Sequence, residues 1–464
     1  MADSFHGISI KGEKEMKKTL CLILVGLLIA GSLFAGGASE ATKAAPAKPA
    51  GPVEITFWHA MGGVNGEALA SMVDEFNKQN EGKIKVKYEF QGNYDDEFAK
   101  IQASGGNYPC DIIQVYDIGT RYMIDSGWIL PVQEYIEKDK YDISQIEPNI
   151  AAYYTVDNTL YSMPFNSSTP LLYYNKTAFE EAGITKVPTC FEDIYEIAEK
   201  LKIVNPDGTV KRYGYGMGNY GWFFEQWIGK MGLHYVNNNN GRGKDYATAV
   251  EFDTNGGGLQ IIKVWDKILK EGISPYLNMG NDDAKAAFIS GNVCMIPEST
   301  AALKSLLLNV GDKFEIGVAY FPSINRNDVG GVSVGGGSLW MMDTGKQERE
   351  DATWEFLKFM VSPEMQAFWN AKTGYFPVTV AAAQTATFKE NIAKYPQFQV
   401  AIDQLHSSAP QYAGALLSVF SEARQIVQNY IARLANNELD PQATLNGMAK
   451  DINKAIETYN LVNY

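Results

Sequence analysis

Between Val53 and Tyr116 the chain switches repeatedly between two hydrophobic periods, and this narrows the possible folds more than any other feature. Val53 to Trp58 reads as a strand, Glu67 to Lys78 sets Leu69, Met72, Val73 and Phe76 at helical spacing, and Ile84 to Phe90 returns to a period of two. A helix at Asp95 to Ser104 and a strand at Ile112 to Tyr116 complete the series. Parallel strands need a crossover long enough to hold a helix, so this alternation predicts an α/β domain on a parallel sheet. A second such series begins at Leu171 to Tyr174, with helices near Cys190 to Leu201 and Gly258 to Glu271. Lys346 to Met360, Pro363 to Thr373, Ser418 to Asn436 and Pro441 to Tyr459 also read as helices. With 464 residues, 45% of them hydrophobic, the chain can bury a large core in two or three domains. Two α/β lobes joined by extended crossings would leave a cleft between them, with loops after the strands holding the ligand.

Pro164-Phe165-Asn166-Ser167-Ser168-Thr169-Pro170 precedes the apolar run Leu171-Leu172-Tyr173-Tyr174 and then Asn175-Lys176. Prolines at both ends disfavour a helix, so the small polar side chains are expected on an extended crossing, able to present hydroxyls and N–H groups to a polar ligand. An ordinary polar loop leading into a buried strand would have the same composition.

Met16-Lys17-Lys18 followed by the apolar Leu20 to Ile29 and by Ser32-Leu33-Phe34-Ala35 reads as a secretory signal peptide over residues 1–35, with Met16 as the expected true start. No cysteine follows Ala35, so a lipoprotein anchor is not expected and a periplasmic location is. Residues 36–52, rich in Ala, Gly, Pro, Ser and Lys, read as a flexible tether. After cleavage Cys110, Cys190 and Cys294 remain, too few for a disulfide framework, and buried thiols are expected. His6, His59, His234 and His406 lack metal-ligand spacing, so neither a metal nor a cofactor is expected. The formal charge of −14 argues against nucleic acid and anionic membranes as partners. It also means that an anionic ligand would need local, specific donors.

Two motif matches are weak. Gly331-Val332-Ser333-Val334-Gly335 has the nucleophile-elbow spacing, but Ser338-Leu339-Trp340-Met341-Met342 continues as a strand where an elbow needs a helix. Gly216-Met217-Gly218-Asn219-Tyr220-Gly221 has dinucleotide-fingerprint spacing without the acidic residue about 20 positions on, and reads as a loop presenting Tyr220 and Trp222. Aromatic residues are 12% of the chain, most of them necessarily core. Trp58, Trp222 and Tyr375 lie beside glycines or at strand ends, where a ring could stack on a sugar or glycerol unit, whereas Trp227 and Trp340 sit in apolar runs and read as packing. Arg424, in Glu422-Ala423-Arg424-Gln425-Ile426-Val427, would be a solvated helix residue or, aimed into a cleft, a bidentate clamp for a phosphate.

Together Phe57-Trp58-His59, Gly92-Asn93-Tyr94, Gln114-Val115-Tyr116, Pro164 to Pro170 with Tyr173-Tyr174-Asn175-Lys176, Gly335-Gly336 before Ser338-Leu339-Trp340, and Lys372-Thr373-Gly374-Tyr375 carry a resemblance. Over Val53 to about Tyr459 the chain resembles the solute-binding proteins of ABC importers, specifically the family that binds sn-glycerol 3-phosphate and glycerophosphodiesters. The resemblance implies a two-lobe α/β fold of the type II periplasmic-binding-protein class, a monomer without catalytic activity, and an ABC permease as partner. The lobes are expected at 53–164 plus about 296–335, and at 165–295 plus about 336–464.

The positions matching the family's ligand-binding residues are Tyr94, Asp117, Ser168, Trp222, Ser299, Gly336, Tyr375 and Arg424. The resemblance implies that Arg424 and Tyr375 clamp a phosphate with Ser168, Ser299 and the Gly336 N–H, while Trp222 packs on the glycerol unit. Asp117 stands where the family has a glutamate that accepts from a glycerol hydroxyl, a reach shorter by about 1.5 Å. The family's second cleft tryptophan has no clean counterpart near Asn219 and Tyr220. Two rivals stay open: a receptor for a neutral sugar or oligosaccharide, and a secreted hydrolase, for which the sequence offers no metal cluster or carboxylate pair.

Overall fold

The computed structural model describes residues 51–464 apart from 108, 278 and 279 and the side chain of 410. The expected signal peptide and most of the tether lie outside the described residues. The described residues fold around two main sheets wrapped by helices, with two further two-stranded ribbons. The first sheet runs in the order Ile84–Phe90, Val53–His59, Ile112–Tyr116, Gly335–Met342, Ile129–Leu130, and Met163–Ser168 also pairs with Gly335–Met342. Its first three strands are parallel, as the alternating periods predict, with Gly63–Gln79 and Tyr94–Ser104 as the crossover helices. Gly335–Met342 joins them antiparallel from more than 200 residues away in sequence.

The second sheet departs from expectation. Pro170–Asn175 is its middle strand, flanked antiparallel by Met295–Ser299 and Ile316–Tyr320. The run Leu171-Leu172-Tyr173 is buried on both faces, the mark of a central strand, but that pattern does not encode the direction of its neighbours. The expected lobe boundaries are corrected accordingly. Residues 296–335, assigned to the first lobe, hold two strands of the second sheet, while Gly335–Met342, assigned largely to the second lobe, is an inner strand of the first. The helices Gln347–Met360 and Pro363–Thr373 follow it, packing on Val53–His59 and Gly63–Gln79 respectively.

The chain passes between the sheets at Thr169, between Met163–Ser168 and Pro170–Asn175, and returns between Tyr320 and Gly335. These are the extended crossings. Residues 164–170 are buried throughout, and Met163–Ser168 is consumed in sheet pairing, with Gly335 opposite Ser168 and Gly336 opposite Ser167. The backbone of this stretch is therefore structural, and of its residues Ser168 reaches the cleft. The late helices Phe420–Ala435 and Pro441–Asn463 pack on each other and on Gly257–Lys270. Trp227 and Trp340 are fully buried, as their apolar runs predict, and Cys110, Cys190 and Cys294 are buried free thiols.

His59 ends the first strand with its ring among Phe57, Tyr88 and Phe90, and its Nδ1 accepts the Met61 N–H at 3.3 Å. Burial lowers its pKa to about 4. Between pH 4 and 6.5 the unfolded chain binds a proton here that the folded chain does not, so this group makes stability rise with pH across that window and level off above it. Urea denaturation at pH 4.5 and 7 is expected to differ by up to about 3 kcal/mol through His59. His59→Gln is expected to shrink that difference.

Candidate ligand-binding cleft

Strand ends and helix starts converge on one cavity of about 830 Å³, and all eight residues singled out from the sequence line it. Tyr94 opens the Tyr94–Ser104 helix, fixed by a reciprocal cap in which Asn93 Oδ1 accepts the Asp96 N–H (2.9 Å) and the Asp96 carboxylate accepts the Asn93 N–H (3.1 Å). Its ring stacks on Tyr116 and its hydroxyl accepts from Asn166 Nδ2 at 2.6 Å. Burial, followed by the neighbouring Tyr375, holds the Tyr94 hydroxyl well above its ordinary pKa, so it stays a neutral donor. Asp117 follows directly on Ile112–Tyr116, at the carboxyl end of a parallel strand.

Ser168 and Gly336 come from the two crossings. Gly336 has φ +86°, and a Cβ there would lie 2.0 Å from the Asn166 carbonyl oxygen, so this close approach needs glycine. Its neighbour Gly335 leaves room for the Trp222 ring, which a Cβ would meet at 2.6 Å. Ser299 ends the strand Met295–Ser299 and its hydroxyl accepts the Ala301 N–H at 3.1 Å. Tyr375 follows the Pro363–Thr373 helix and stacks on Trp369 with ring centroids 5.5 Å apart.

Arg424 projects from Phe420–Ala435, but it is already paired. Its Nε and Nη2 donate to the two carboxylate oxygens of Glu225, each at 2.7 Å, and Nη2 lies 3.8 Å from Asp117. Only Nη1 is uncommitted among these contacts, so the bidentate face expected for a phosphate is occupied by Glu225. Glu225 was missed in the sequence, although it lies one helical turn after Trp222, three residues on and thus on the same face of Gly221–Lys230. Lys285, Asn281 and Glu298 were missed as well. Glu298 is buried, accepts from the Ser299 N–H (2.6 Å) and Asn281 Nδ2 (2.9 Å), and lies 3.9 Å from the Lys285 ammonium. Glu298 adjoins Ser299 in sequence; Lys285 and Asn281 lie in a stretch with no pattern to mark them.

The lining carries the carboxylates of Asp95, Asp117, Asp282, Glu298 and Glu422 against two cations, Lys285 and Arg424. The cleft is therefore acidic, and a multiply charged anion gains nothing from its overall field.

Ser333, the candidate elbow serine, lies elsewhere, with its hydroxyl accepting from Gln226 Nε2 at 2.8 Å. Trp58 donates to Glu89 and takes no part in the cavity.

Because Glu225 and Asp117 are buried against one guanidinium, Arg424→Met is expected to destabilise the fold by about 3 kcal/mol or more through the stranded carboxylate. The double substitution Arg424→Met with Glu225→Gln should recover most of that loss in urea denaturation. A single variant as stable as the parent would show that the pair is not formed.

The model of the bacterial extracellular solute-binding protein family matches residues 71–398. The sn-glycerol-3-phosphate-binding periplasmic protein UgpB of Yersinia pseudotuberculosis is 32% identical over 415 residues, covering 86% of this chain and 91% of that protein. Among solved structures, UgpB of Mycobacterium tuberculosis in complex with glycerophosphocholine superposes with a TM-score of 0.73 at 20% identity, over 89% of this chain and all of that one. The GacH receptor of Streptomyces glaucescens, solved unliganded and with acarbose, superposes with a TM-score of 0.72 at 19% identity, over 88% of this chain and 99% of its own. The fold is thus the two-lobe architecture of these receptors, and the chain belongs to the bacterial extracellular solute-binding proteins.

Proposed function

We propose that this protein is the extracytoplasmic receptor of an ABC importer, which captures a glycerophosphodiester or sn-glycerol 3-phosphate in the cleft and delivers it to the permease without chemical change. The observation that carries this reading is the convergence of Tyr94, Asp117, Ser168, Trp222, Ser299, Gly336, Tyr375 and Arg424 on one cavity, drawn from eight separate stretches of chain. Sequence identity to a glycerol-3-phosphate-binding relative over most of both chains supports the same ligand class. Within that class the acidic lining favours the diester, which carries one negative charge, over the monoester dianion. A cavity of about 830 Å³ also leaves room for a head group beyond glycerol phosphate. Trp222 packs on the glycerol unit, Tyr94 and Tyr375 offer neutral hydroxyls, and Nη1 of Arg424 supplies the charged donor.

The sugar-receptor reading keeps one observation in its favour. Aromatic planes beside several carboxylates, as at Trp222, Tyr220, Asp117 and Glu298, are also what a carbohydrate needs. Calorimetric titration of the purified protein with glycerophosphocholine, sn-glycerol 3-phosphate and maltose separates the two. We expect micromolar or tighter binding of the diester, weaker binding of the monoester and no heat with maltose. Saturable heat with maltose alone would replace the phosphate assignment by the sugar one. Trp222→Ala is expected to weaken the diester at least tenfold, since stacking and burial at such a site are worth about 1–3 kcal/mol. Prolonged incubation of the diester with the protein should release no choline.

A further inference from the structure

Asp117, Glu225 and Arg424 come from three elements and meet in a pocket where their side chains are 9%, 8% and 10% exposed. One guanidinium faces two carboxylates, and they are not equivalent. Glu225 takes the fork-to-fork geometry with two bonds of 2.7 Å, while the Asp117 carboxylate stands 3.8 Å from Nη2, beyond hydrogen-bond range. Two buried carboxylates that share one cation do not both ionise easily, and the weakly paired one takes the proton.

The side chains around Asp117 other than Arg424 do not relieve it. Tyr153 and Tyr154, from the helix Pro148–Tyr154, and Tyr220, from the segment before Gly221–Lys230, are phenols that burial keeps neutral. Tyr153 donates to the Asp117 main-chain oxygen at 2.9 Å rather than to its carboxylate. The N–H groups of Asp117 and Ile118 are the main-chain donors that reach the carboxylate. Arg121 and Asp125 of the neighbouring helix Thr120–Ser126 pair with each other at 2.9 Å. The remaining cation of the cleft, Lys285, is paired with Asp282 (2.6 Å) and Glu298 (3.9 Å), and Asp95 and Glu422 only add negative charge.

A second, smaller cavity of about 30 Å³ lies behind the cluster, lined by Asp117, Glu225, Tyr153, Tyr235 and His234 among others. That is room for about two water molecules. The Tyr235 hydroxyl is buried there without a hydrogen-bond partner, and the His234 side chain on the same lining is 44% exposed. Asp117 thus lines both this cavity, which also holds the partly exposed His234, and the ligand cleft.

We propose that Asp117 meets the ligand as the neutral acid, donating its O–H to a ligand oxygen, and that Glu225 is the positioning residue that imposes this by holding Arg424 through Nε and Nη2. The proposal rests on the reading of the cleft as a phosphate-ligand site. It reverses the role implied by the family resemblance, in which this position accepts from a glycerol hydroxyl. A neutral acid can approach a phosphoryl oxygen without repulsion, and the single arm Nη1 then supplies the positive charge. Above neutral pH the proton is taken from solvent when the ligand binds. Burial raises the Asp117 pKa to about 7, with Arg424 pulling it down and Glu225 pushing it up.

The test is calorimetry of the purified protein with glycerophosphocholine, which has no group titrating near neutrality, in pairs of buffers that differ in ionisation enthalpy. Uptake is expected to approach one proton per ligand at pH 8 and to vanish by pH 6, with affinity about tenfold weaker at pH 8 than at pH 6. Asp117→Asn should abolish the uptake whatever it does to affinity. Glu225→Gln frees Arg424 to pair with Asp117 and should move the uptake profile to lower pH, which a purely structural role would not. No uptake at pH 8, or uptake that persists in Asp117→Asn, overturns the proposal.

A second measurement needs no ligand. Infrared titration of the free protein should show a protonated-carboxyl C=O band that disappears near pH 7 and is missing in Asp117→Asn. Absence of that band overturns the proposal even if the diester binds, whereas its presence without any diester heat would refute the ligand assignment and leave the acid form of Asp117 standing.

Discussion

The architecture depends on one long-range pairing, the insertion of Gly335–Met342 between Ile112–Tyr116 and its other neighbours in the first sheet. This strand closes the sheet that the N-terminal segments begin, and its first residues set Gly335 against Ser168. Both crossings between the sheets are thereby held side by side. Asp117 leaves the adjacent strand at the same edge, so three of the candidate ligand contacts owe their proximity to a single register. A one-residue slip would turn every side chain of the strand to the opposite face.

The cleft is then tuned by electrostatics rather than by shape alone. Arg424 enters as a buried cation already held by Glu225, in a lining with more carboxylates than cations. Arrangements of this kind contribute little net stability, because desolvation offsets most of the attraction between the partners. They do fix side-chain orientation, and an arginine whose position is set before the ligand arrives loses less entropy on binding it. Tyr94 and Tyr375 add to this lining hydroxyls that burial keeps neutral.

Local pattern was legible where local physics decides. The first three strands, their crossover helices, and the helices Gln347–Met360, Pro363–Thr373, Phe420–Ala435 and Pro441–Asn463 follow hydrophobic periods and Pro or Asn punctuation. What could not be read was the choice of partner strands. Leu171-Leu172-Tyr173 announces a central strand, yet nothing in it points to residues 295–299 and 316–320 as its neighbours, so the lobe boundaries were drawn through the wrong segments. The site divides in the same way. Its eight residues were identified through family resemblance, Glu225 was recoverable from its spacing to Trp222, and Lys285 and Asn281 become cleft residues only through the tertiary fold.

The late strand also has a consequence for how the molecule is made. Because an inner position of the first sheet is filled by residues 335–342, no N-terminal portion of the chain can complete that sheet by itself. A polypeptide emerging from the ribosome must extend beyond Met342 before its earliest strands are fully paired. Such high sequence separation slows folding and lengthens the time the chain stays open.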